Sequence, residues 1–273
     1  MFTPKLPGLV YTRGRAAKAA HQVKGEHIVN DIEVLEGDLR TSSTILEWEF
    51  GDIIGHIGVR LPDDKGIAVK LLRVAQENKD EDWLMQFDFD GNKLSGTGTV
   101  PGEAPIYTQL FKARPEVNAI VHAHAPMCVV MGLAEVPIAA VHLQSSKFGE
   151  GLPVLDMPIY VSDLADGQAV VKTIGDKPGM TINGHGIVTA GASIDEATFT
   201  AIYMERTAKI THAARMMGFR DTSGEFKEMM ATNRQKIAER GQTLNRPTTE
   251  HSDEWRYYTR KIERNEPWNR GWT

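Results

Sequence analysis

Apolar and polar positions alternate or recur with a clear rhythm from about residue 28 onward. Residues 1 to 27 are mixed basic and small, carry no strong period, and read as an arm or short leading helix. The stretch "STILEWEFGDIIGHIGVRLPDDKGIAVKLLR" alternates apolar and polar residues around Gly55, the period of half-buried strands. Within it, an Asp-Asp-Lys-Gly turn between "HIGVRL" and "IAVKLL" predicts a hairpin. "WLMQFDFDGNKLSGTG" repeats the pattern, with Phe87 and Phe89 on one face and a turn before Lys93. "APIYTQLFKA", Ala104 to Ala113, predicts a short helix ended by Pro115, because the residue before a proline avoids helical dihedrals.

"NAIVHAHAPM" follows as a strand, then "PMCVVMGLAE" as a helix and "IAAVHL" as a strand. A segment punctuated by Gly and Pro, "GLPVLDMPIYVSDLADG", leads to "GMTINGHGIVTAGAS", which reads as a buried strand ending in a glycine turn. Ser193 and Glu196 form an S-x-x-E capping box for a long helix closed by Gly218. Strands come first, and helices intersperse and follow. The pattern predicts an α/β fold with a central, mainly antiparallel sheet between helices, and no internal repeat.

The composition agrees with this picture and narrows the partners. With 273 residues, 41% hydrophobic and 25% charged, the chain can bury a sizeable core. No flexible linker divides its middle, so the expected organisation is an arm over 1–27, one main domain over 28–218 and a helical extension with an aromatic tail over 219–273. A net charge of −5 and a pI near 6.0 offer no attraction to phosphate backbones or anionic lipid, so neither nucleic acid nor membrane is an expected partner. The first twenty residues show no apolar signal core and no eighteen apolar residues run together, which predicts a cytoplasmic protein. Cys128, the single cysteine, lies in "PMCVVMGLA" and reads as a small core residue.

The chemistry gathers around histidines. In an extended strand His122 and His124 project to one face beside Ile120, while Val121 and Ala123 face the other way. Such a pair is either a polar strand end or two ligands for a borderline-soft divalent ion. His185 stands between Gly184 and Gly186, where a strand turns, and suits either a backbone hydrogen bond or a ligand role. Glu103, at the mouth of the helix before the histidine strand, is either a helix cap or an acid/base group.

Three blocks together carry a family resemblance: "GHIGVRLP", a glutamate shortly before "ARPEVNAIVHAHAP", and "NGHGIVTAGASIDEA" running into a helix that contains Glu205. Over residues 28 to 218 the chain resembles the class II aldolase/adducin family. The resemblance implies a three-layer α/β/α domain. It implies one divalent metal ion on His122, His124 and His185, with Glu103 as acid/base. Where sugar-phosphate aldolases of the family carry Gly-Asn, this chain has Gly55-His56. Where they carry serines before the glutamate, it has Pro101-Gly102. Those polar groups cradle a phosphate, so an unphosphorylated substrate is implied. Tyr107 and Phe111 stand where histidine and tyrosine are common, making the pocket more aromatic.

The form "GHIGVRLP" is similar to the branch containing decarboxylases of hydroxylated aromatic and pyridine carboxylates, and the adducin-like proteins. A metal-dependent carbon–carbon lyase is therefore the expectation, foremost a decarboxylase of a hydroxylated aromatic or heteroaromatic carboxylate. The alternatives are a retro-aldolase on an unphosphorylated hydroxy-keto acid, an Fe(II) oxygenase and a non-catalytic adducin-like binding protein. The ion is open among zinc, manganese, iron and cobalt. His56, Tyr107, Tyr257 and Tyr258 are the expected substrate contacts, the last two from the tail "DEWRYYTRKIERNEPWNRGW", which suits a flat anion. For any one of its residues, a helix docked on the surface or a subunit contact through Trp255, Tyr258 and Trp268 is the reading favoured over a substrate contact. The family default is a homotetramer.

Overall fold

A computed structural model describes residues 26–71, 84–96, 99–219, 224–243 and 251–266. The expected arm, apart from its last two residues, and Trp268 lie outside these. The chain opens with α1 (Glu26–Phe50), continues through β1 (His56–Arg60), β2 (Ile67–Leu71), β3 (Leu84–Phe87) and β4 (Lys93–Ser95), and enters α2 (Ala104–Ala113). Next come β5 (Ala119–Ala123), α3 (Pro126–Leu133), β6 (Val154–Leu155), α4 (Leu164–Ile174), β7 (Gly179–Ile182) and β8 (Gly186–Gly191). Helices α5 (Ile194–Met216), α6 (Gly224–Thr243) and α7 (Asp253–Glu263) close it.

The sheet has the order β4-β3-β2-β1-β5-β8-β7-β6. Every pairing is antiparallel except β6 with β7. Alternation along β5 separates two cores. Ala119, Val121 and Ala123 face a cluster with Leu39 and Leu46 of α1, Cys128 of α3 and Ala201 and Met204 of α5. Ile120 faces a second cluster with Leu110 and Phe111 of α2 and Val170 and Ile174 of α4. The molecule is thus the α/β/α sandwich expected, with Cys128 fully buried as a core residue.

The predicted hairpin over β1 and β2, helix α2, helix α3 and the capped α5 are present. Ser193 accepts the Glu196 N–H, and the Glu196 carboxylate reaches back to the Ala192 N–H, one residue beyond the usual capping-box partner. Three expectations need correction. "LEWEF" alternates like a strand but is the last turn and a half of α1. Leu35, Leu39, Leu46 and Phe50 are spaced four, seven and four residues apart, one face of a helix, and burying that stripe outweighs the local alternation. "IAAVHL" forms no strand; its backbone pairs only locally, Ala140 N–H to Gly149 and Leu152 N–H to Ile138. "GMTINGHGIVTAG" is two strands, β7 and β8, joined by a turn in which Gly184 adopts φ +67°. Helix α4 was hidden by the Gly- and Pro-rich approach to it; Asp163 caps it by accepting the Asp166 N–H.

Candidate metal centre

The adjacent strands β1, β5 and β8 bring one end of each to a common point. His56 opens β1 and stands directly across from His122 of β5, while His185 precedes Gly186 of β8. Gly186 is required there, because a side chain on it would collide with the Ala123 carbonyl and crowd the His124 ring. His124 lies one residue past the end of β5, two positions from His122 as strand alternation demands. One ligand atom from each of His122, His124 and His185 lies within 4.8 Å of the others. The rings of His122 and His185 are 4.9 Å apart between centroids, and those of His124 and His185 5.2 Å.

Glu103 faces this cluster. It is the residue preceding α2, yet its side chain caps nothing. Its Oε2 lies 3.3 Å from His122 Nε2 and 3.9 Å from His56 Nδ1, and its Oε1 lies 3.6 Å from His185 Nε2. Burial alone would raise its pKa. The neighbouring imidazoles, His122 first and then His185 and His56, outweigh that and bring it down to about 2. For His56 burial comes first, then repulsion from His122, and its pKa falls to about 4. Burial likewise lowers that of His185.

The donor set fits a cation. His122 Nδ1 lies 3.0 Å from the Ile187 carbonyl, which can only accept, so Nδ1 carries the proton. In a neutral ring the lone pair of Nε2 then points at the Glu103 carboxylate, and among the described residues both His122 Nε2 and Glu103 Oε1 are buried without a hydrogen-bond partner. Two electron-rich groups turned toward each other in a dry site are stabilised by a shared positive charge. At His124, Nδ1 donates to Asp52 Oδ2 at 3.1 Å, leaving Nε2 free to ligate. His122, His124 and His185 therefore form a triad able to hold a divalent ion.

Asp52 had no signal in the sequence, because 72 residues separate it from His124. Its Oδ2 also accepts the His124 backbone N–H at 2.7 Å, while Oδ1 accepts those of Ile54 and Gly55. Burial opposes its charge, but the hydrogen bonds from His124 and Ile54 hold its carboxyl far below the usual range, while that of His124 is raised by the same pairing. Glu205 is a second unpredicted brace: its Oε2 accepts the N–H groups of Met127 and Cys128 at the start of α3, just after His124. Tyr160, 61% exposed, stands over Gly102 beside Glu103, and any side chain at 102 would strike its hydroxyl.

The expected substrate contacts divide. His56 is at the cluster. Tyr107 is fully buried, edge-on to His56 with centroids 6.5 Å apart, in space left by Gly58, and its hydroxyl has no hydrogen-bond partner among the described residues. Within the chain Tyr257 and Tyr258 are not brought to the cluster. Helix α7 packs on α1 and α5, where Trp255 and Tyr258 are buried against the first core. The Tyr258 hydroxyl bonds Glu49 and Arg206, and the exposed Tyr257 lies against Tyr258 and Lys261. An amphipathic helix with two large rings on one face gains more by docking on its own body than by standing over a wet pocket.

Comparison with known proteins agrees with this architecture. Residues 48–212 match the Class II Aldolase and Adducin N-terminal domain. The 3,4-dihydroxyphthalate decarboxylase of Arthrobacter keyseri is 26% identical over 231 residues, 77% of this chain and 86% of that protein. Its namesake from Terrabacter sp. (strain DBF63) is 31% identical over 173 residues, 58% and 71% of the two chains. Among solved structures, an L-fuculose 1-phosphate aldolase from Glaciozyma antarctica PI12 shares the fold with a TM-score of 0.68 at 18% identity, covering 93% of this chain and 97% of that one. A domain match spanning more than half of the chain, laid on this sandwich and this histidine cluster, makes the protein a member of the class II aldolase and adducin family.

Proposed function

We propose that the protein is a metal-dependent lyase that decarboxylates a hydroxylated aromatic or heteroaromatic carboxylate. The observation that carries the reading is Glu103: a buried, ionised carboxylate that caps no helix and faces three imidazoles. The similarity to the two 3,4-dihydroxyphthalate decarboxylases supports the choice among lyases. His122, His124 and His185 would hold the ion, one of zinc, manganese, iron or cobalt, which when bound supplies Lewis acidity to an oxygen of the substrate.

The chain's own residues handle the proton. Ionised among the imidazoles, Glu103 begins as the base, taking the proton of the ring hydroxyl. The bond from ring carbon to carboxylate then breaks, carbon dioxide leaves, and the electron pair passes into the ring. Glu103 returns its proton to that carbon, ending ionised as it began, and the product phenolate recovers a proton from solvent. His56, neutral at physiological pH, stands beside Glu103 to hydrogen-bond a substrate oxygen. The exposed ring of Tyr160 offers a face for stacking.

The test is a screen of hydroxylated aromatic and pyridine carboxylates for carbon dioxide release by the metal-loaded protein. Aldehyde release from hydroxy-keto acids without carbon dioxide would indicate the retro-aldolase. Oxygen uptake would indicate the oxygenase, and metal binding with no turnover the binding protein.

A further inference from the structure

Helix α6 borders a cavity with charged residues. Lys227, Met230, Ala231 and Arg234 follow the i, i+3, i+4, i+7 spacing of one helix face, and all four line a cavity of about 310 Å³. Met230 is buried, while Met229 and Ile237 are exposed at 58% and 53% and line no part of the cavity.

Arg215, near the end of α5, adds a third cation to the lining. Gly149 of the facing segment adopts φ +57°, and a Cβ there would lie 3.1 Å from Arg234 Nη1, so the guanidinium rests over bare backbone. Glu150 is the one acid in the lining, against three cations. Among the described residues none of the three cations forms an ion pair. The lining also includes the apolar residues Val136, Phe219 and Met230.

We propose that this cavity is a second ligand site, taking a small organic dianion with a flat apolar body, of the aromatic dicarboxylate class. An excess of two positive charges matches a dianion, and two guanidinium forks suit carboxylates. The volume, at the small end of ligand pockets, holds about one substituted ring, whose faces the apolar wall covers. Free inorganic phosphate would meet the cations and leave that wall unused. The site shares no residue with the histidine cluster or Glu103, and all three cations are exposed, so their removal takes nothing from the core.

Calorimetric titration of phthalate (benzene-1,2-dicarboxylate) into the metal-loaded protein tests this. One equivalent per chain is expected to persist in His124→Ala, which disables the metal centre. The same equivalent is expected to weaken about tenfold or more in Arg215→Ala/Arg234→Ala, a variant that melts like wild type, with inorganic phosphate competing poorly. The single Arg234→Gln substitution, milder still, is expected to weaken it in the same direction. Unchanged affinity in the arginine variants, loss of all binding in His124→Ala, no binding to wild type, or phosphate binding as tightly as phthalate would each overturn the proposal.

Discussion

Replacing Glu103 by Gln keeps the volume and the hydrogen-bonding capacity of the side chain and removes only its ability to carry a proton. Two consequences can be sized from the structure. For stability, the carboxylate caps nothing at α2, so the roughly 1 kcal/mol typical of a lost N-cap is not at stake. Gln also still offers an oxygen and an amide to the imidazoles that face this position. The melting temperature should therefore move by less than about 2 °C, the shift about 1 kcal/mol produces in a protein of this size. Metal content should stay near wild type, because three imidazoles remain. Turnover should fall by about two to four powers of ten, or roughly 3 to 5 kcal/mol in the barrier. The assay measures carbon dioxide release, bound metal and thermal melting on one preparation of the variant, using the substrate the screen identifies. A melting shift of several degrees with turnover nearly intact would refute the reasoning, because it is the signature of a helix cap.

Other expectations follow from the same geometry. His122→Ala/His124→Ala should lose its bound divalent ion by elemental analysis; unchanged metal content would remove the metal centre. Asp52→Asn presents an amide where both oxygens now accept N–H groups, and metal affinity measured by competition with a chelator should drop about 10- to 100-fold. Lys70 is buried and its pKa is pushed down to about 8 from 10.5, so unfolded chains bind more protons than folded ones between those values and stability should rise across that window. Urea unfolding at pH 7.5 and 9.5 should show this rise in wild type and lose it in Lys70→Met. Finally, the protein is proposed to sediment as a homotetramer, with exposed Ile53 and Ile54 beside the metal centre as candidates for burial at a neighbour; a fully active monomer would contradict it.

Much of this was written in local sequence. The i, i+2 spacing of His122 and His124 in an apolar run puts both on one strand face, because alternation is a property of extended backbone itself. The glycines flanking His185 marked a place where backbones approach, and Gly186 meets that need against the Ala123 carbonyl. The limits of α2 and the cap of α5 were legible for the same reason: proline geometry and the Ser193 side chain act within a few residues.

What stayed hidden depended on which distant surfaces meet. "LEWEF" alternates like a strand, and only the sheet offered to its other face makes it helix. Glu103 read equally well as a cap or a catalyst until folding turned its carboxylate toward His122, 19 positions away. Asp52 and Glu205 brace the segment around His124 from 72 and more residues off in the chain, with no spacing rule to announce them. The aromatic tail shows the same limit from the other side. Its rings required cover, but whether that cover was a substrate, a neighbour or the protein's own α1 and α5 was decided by shape and by the half-buried Glu49 and Arg206 that meet Tyr258, and these exist only once the chain is folded.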